Sequence, residues 1–150
     1  MGSRRRARGF ALQALYHADI GELGVQASLD NLWAGLIEGE GIDGDAPPPE
    51  SQDMEFAQRL ALGVERRGTD IDSLIEEAST NWRLGRMPVV DRNILRLAAF
   101  ELLECEDIPA TVTINEAVEL AKGYGTKESK AFVNGIVDRL ARQLGRIQAR

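Results

Sequence analysis

Four arginines open this chain before its first acid: Arg4, Arg5, Arg6 and Arg8 all precede Asp19. A guanidinium carries its N–H donors in a planar fork that matches phosphate oxygens. Tyr16 follows on the same predicted helix, and with Gln13 it lies away from the apolar stripe. Arginine for phosphate beside a ring for base stacking is the combination that single-stranded RNA requires. A solvated N-terminus, and a tyrosine packed on a neighbouring helix, fit the same residues. A second cluster lies at GYGTKES, residues 123–129, where Lys122, Lys127 and a helix N-terminus can receive an anion. It lacks the spacing of a phosphate loop and a preceding strand, and a plain helix–turn–helix connection accounts for its glycines too.

Other chemistry is absent from the sequence. The single histidine, His17, has no cysteine or clustered acids at ligand spacing, and no serine sits on a strand-to-helix elbow. No enzyme, metal or cofactor is expected. The lone Cys105 cannot form an internal disulfide, which points to a reducing, cytoplasmic setting, although pairing between chains is another use for it. No apolar run reaches the roughly 18 residues needed to cross a bilayer. The net charge of −6 argues against a nucleic-acid partner, but its distribution does not: residues 1–18 carry +4 and the remainder −10. A basic arm on an acidic body can grip phosphate.

The elements that must position these groups are all helical. Residues 4–20 form a first helix with Phe10, Ala11, Ala14, Leu15 and Ala18 as its stripe. Ser28 caps a second helix, and GEGIDGDAPPPE, residues 39–50, reads as a flexible acidic loop. Ser51 opens a third helix that Gly68 closes. Thr69 to Asp72 form a capping box leading into Ile71, Leu74, Ile75, Ala78 and Trp82, with Trp82 assigned to the core. Residues 88–103, PVVDRNILRLAAFELL, are apolar nearly all round and predict a central helix on which others pack, with Asp91 compensating its dipole. A turn at Ile108-Pro109 leads to a helix beginning at Thr113 or as early as Ala110, and Thr126 caps a last helix with Phe132 at the edge of its stripe. The fold class is therefore all-α, one domain of about seven helices in two sub-bundles, roughly 1–83 and 84–150.

Three stretches together resemble the NusB family of transcription antitermination factors: RRRARGFALQALYHAD at residues 4–19, VVDRNILRLAAFELL at 89–103, and IPATVTINEAVELAKGYGTKESKAFVNGIVDRLA at 108–141. INEAVELAK followed by FVNG is the most specific part. The resemblance implies a non-enzymatic protein that binds the boxA element of nascent ribosomal RNA transcripts with NusE, a small-subunit ribosomal protein, within the RNA polymerase antitermination complex. It implies an RNA-binding set of Arg4, Arg5, Arg6, Arg8, Gln13, Tyr16, Lys122, Ser129, Lys130 and Phe132. It implies a NusE contact at Asp91, with Arg92 and Glu101 as further candidates. Two other classes fit part of the chain: a homodimer whose interface covers the arginine arm, and an RNA module related to RNA cytosine methyltransferases. The second would need a nucleotide-fold domain, which is not expected within 150 residues.

Overall fold

A computed structural model describes residues 3–37, 48–80 and 82–148. Among them are seven α-helices and no strand. The expected acidic loop falls largely on residues 38–47, outside the described residues. By packing, the chain divides between Glu65 and Arg66 rather than near residue 83.

The first unit holds α1 (Ser3–Ile20), α2 (Val25–Ile37) and all but the last residue of α3 (Ser51–Arg66). Ala7, Phe10, Ala11, Ala14 and Leu15 of α1 are buried, as the stripe predicts, and Phe10 meets Trp33 of α2 edge to face at 5.4 Å. Leu12 is buried as well, so α1 is covered on more than one side. The expected cap at Ser28 is not used. Helix α2 starts three residues earlier, at Val25, and leaves the buried Ser28 Oγ without a hydrogen-bond partner among the described residues.

The second unit holds α4 (Gly68–Ala78), a 3-10 turn (Leu84–Arg86), α5 (Val89–Glu104), α6 (Ala110–Tyr124) and α7 (Ser129–Gln143). Helix α5 is its centre, packed against α4, α6 and α7. It buries Ile94, Leu95, Leu97, Ala98, Ala99, Phe100 and Leu102, which is what an apolar surface without a wide polar face demands. Helix α4 also packs on α5 and α7, which is why the division falls before it.

Two expected helix starts move, and a third is decided between its two alternatives, for a common reason. Gly68 opens α4 instead of closing α3, because Arg67 alone separates the two helices, and Thr69 is already helical. Pro109 precedes α6, so the helix takes the earlier of its two expected starts, Ala110; Thr113 lies inside it and its hydroxyl turns to Glu101. Helix α7 begins at Ser129, not after Thr126. In each case a residue able to cap is overruled by the tertiary position of the turn.

Candidate nucleic-acid interface

At 100° per residue, Arg5, Arg6, Gln13 and Tyr16 fall within one arc of about 100° on α1, and Arg5 and Tyr16 are about 16 Å apart along its axis. Arg4 and Arg5 are exposed, while Arg6, Gln13 and Tyr16 are half-buried. Gly9, in the middle of the arc, is buried, so the accessible atoms lie at its two ends. Local stacking holds the basic end: the Arg6 guanidinium lies 5.1 Å from the Phe10 ring centroid and that of Arg4 4.6 Å from Phe56. Cations held over ring faces lose less freedom when phosphate arrives. Tyr16 meets His17 edge to face at 5.7 Å. Arg8 departs from the expected arm. It is 3% exposed, with its guanidinium 5.5 Å from the Phe56 centroid, so it belongs to the packing of α1 on α3.

In the second unit the expected partner and RNA residues hold each other. Ser129 Oγ donates a 2.6 Å hydrogen bond to Asp91 Oδ1 and accepts one from Thr126 N–H at 3.0 Å. Both Asp91, 4% exposed, and Ser129 are buried, so the Ser129 hydroxyl is engaged within the protein, while Lys127 and Thr126 of the loop stay exposed. Glu101 is 2% exposed and accepts from Thr113 Oγ1 at 3.0 Å. It presents no carboxylate to a partner, because its place on α5 faces α6. Arg92 is half-buried at the start of α5. Lys122 is exposed and pairs with Glu119 at 3.4 Å, and Lys130 is exposed.

Trp82 overturns its assignment to the core. The register that groups it with Ile71, Ile75 and Ala78 ends with α4 at Ala78, and the chain then turns through Thr80 at φ 57. Left-handed backbone is costly for a β-branched residue and carries the next residues off the helical face. Trp82 emerges exposed, its ring against the half-buried Phe132 of α7. The signal available in the sequence was the polar run Ser79-Thr80-Asn81 ahead of it.

These features have relatives. The NusB family matches residues 5–142. The transcription antitermination protein NusB of Myxococcus xanthus is 47% identical over 141 residues, covering 94% of this chain and 96% of that protein. That of Sorangium cellulosum is 40% identical over 147 residues, covering 98% and 97%. The structure of T. maritima NusB superposes with TM-score 0.78 at 38% identity, over 93% of this chain and 91% of that one. A chain in a crystal structure of antitermination factors NusB and NusE in complex with dsRNA shares the fold, with TM-score 0.80 at 24% identity and coverage of 95% and 98%. With sequence matches spanning both units end to end, this chain belongs to the NusB family of transcription antitermination proteins, which are not enzymes.

Proposed function

We propose that the protein binds the boxA element of nascent ribosomal RNA transcripts, together with NusE, as part of the cytoplasmic antitermination complex of RNA polymerase. The observation that carries this reading is the arc of α1 with exposed Arg5, stacked Arg6 and the half-exposed Gln13 and Tyr16. Guanidinium groups neutralise phosphates, and an amide and a phenol supply base-edge and stacking contacts. Arg4 extends the basic end, while Lys122, Lys130 and Phe132 form a second set in the other unit. The reading draws support from the NusB–NusE–dsRNA assembly of the relative that shares this fold. Arg92 is the side chain at the start of α5 that offers a partner contact, with the buried Asp91 fixing that helix start from within.

Equilibrium binding to boxA RNA and to a scrambled RNA, each with and without NusE, tests the proposal. Preferential binding to boxA that tightens with NusE is expected. Equal, weak binding to both RNAs, unaffected by NusE, would overturn it.

A further inference from the structure

Of the two tryptophans, Trp33 is 6% exposed and Trp82 is 45% exposed. Trp82 meets Phe132 with ring centroids 5.1 Å apart and planes at 74°, an edge-to-face arrangement that leaves ring surface uncovered. The backbone beneath it is firmly held. Trp82 N–H donates to Ser79 O at 3.3 Å, Ser79 Oγ lies 3.2 Å from Trp82 O, and Leu84 N–H donates to Glu76 Oε2 at 2.9 Å. Leu84 and Met87 anchor the turn by burial. From the other side, Arg139 Nη1 donates to Ala78 O at 2.7 Å. Arg139 is two turns after Phe132 on the same face of α7, so one helix face fixes both the end of α4 and the partner ring.

Cations lie next to this pair along the chain. Arg83 and Arg86 on the turn and Lys130 in the first turn of α7 are exposed, and among the described residues none of the three forms an ion pair. Glu76, the carboxylate beneath the turn, is occupied by Leu84 N–H. An exposed aromatic pair with unneutralised cations close by in the chain suits a polyanion with flat apolar rings better than a protein segment.

We propose that Trp82 and Phe132 form a stacking platform for an unpaired nucleobase, with Arg83, Arg86 and Lys130 holding the adjacent phosphates. The proposal rests on the RNA-binding reading and adds Trp82 and its turn to the site. Because every base has a π-face, the platform contributes affinity more than sequence choice.

The test follows tryptophan emission and, separately, the anisotropy of a labelled single-stranded boxA RNA. With the native protein, emission falls as RNA binds. Trp82→Phe binds RNA without that fall, because only the buried Trp33 remains. Trp82→Ala weakens binding by about 5- to 150-fold, the range for losing one stacked base, with an unchanged salt slope because no cation is lost. Trp82→Phe, which keeps a ring against Phe132, loses less and serves if the alanine variant is poorly folded. Flat emission while anisotropy reports bound RNA overturns the platform. So does a Trp82→Ala protein that keeps its RNA affinity and loses NusE, which would make the rings a protein-docking face. Absence of RNA binding by the native protein, read by anisotropy alone, overturns the RNA-binding reading and the platform with it.

Discussion

Ser129, at the start of α7, and Asp91, at the start of α5, are joined by a buried 2.6 Å hydrogen bond that ties the two helix N-termini together. Each lies at a helix start, where an acid or hydroxyl is favoured for local reasons. Their contact makes those local choices one tertiary clamp. Ser129→Ala leaves a buried carboxylate oxygen short of a donor and is expected to cost about 1–3 kcal/mol. Thermal unfolding of the variant would show a midpoint lowered by several degrees, and an unchanged midpoint would mean that the clamp contributes nothing.

The same clamp explains one glycine. A methyl group added at Gly125 would lie 2.6 Å from Ser129 Cβ, closer to its Oγ, and 3.0 Å from Ala121 O. Gly125→Ala must displace Ser129 or the loop and is expected to destabilise by about 1–3 kcal/mol. Gly123, two residues earlier and within α6, has open space around the added carbon. Gly123→Ala is expected to stabilise by about 0.4–1 kcal/mol through the unfolded chain. Opposite signs in paired denaturation curves are the expected result.

Arg67 and Arg66 both reach Glu104 at the end of α5, with contacts of 2.8 and 3.1 Å. The hydrogen bond from Arg67, only partly opposed by desolvation, holds the Glu104 carboxyl below the usual glutamate range. A depressed carboxylate contributes stability that is complete above its unfolded pKa and lost as pH falls through the folded value. The pair faces solvent, so the effect is modest and weakens with salt. Thermal midpoints followed from neutral pH down through the carboxylate range should fall less steeply for Glu104→Gln than for the native protein.

Much of the architecture can be read from side-chain pattern alone, because α5 is apolar on nearly every side and such a helix has nowhere to go but the middle of a bundle. Helix starts are harder. Ser28, Thr69, Thr113 and Thr126 all satisfy local capping rules, yet the starts of α4 and α7 are set instead by the one-residue turn at Arg67 and the Ser129–Asp91 contact, and Pro109 selects Ala110 over Thr113 for α6. The site divides the same way. Exposure of Arg5 follows from its place opposite the apolar stripe, whereas burial of Arg8, Asp91 and Glu101 depends on partners remote in sequence, Phe56, Ser129 and Thr113. Trp82 escapes periodicity because the helix that would give it a face ends at Ala78.

The salt dependence of binding to boxA RNA tests the central claim most directly, compared between the native protein, the Arg5→Ala/Arg6→Ala double variant and Arg8→Ala. For single-stranded RNA each lost phosphate contact lowers the slope of log affinity against log salt by about 0.7. If Arg5 and Arg6 grip the backbone, the double variant binds more weakly with a slope shallower by about 1.4, while Arg8→Ala, whose guanidinium packs on Phe56, keeps the native slope and loses thermal stability. A double variant with the native slope would contradict the account.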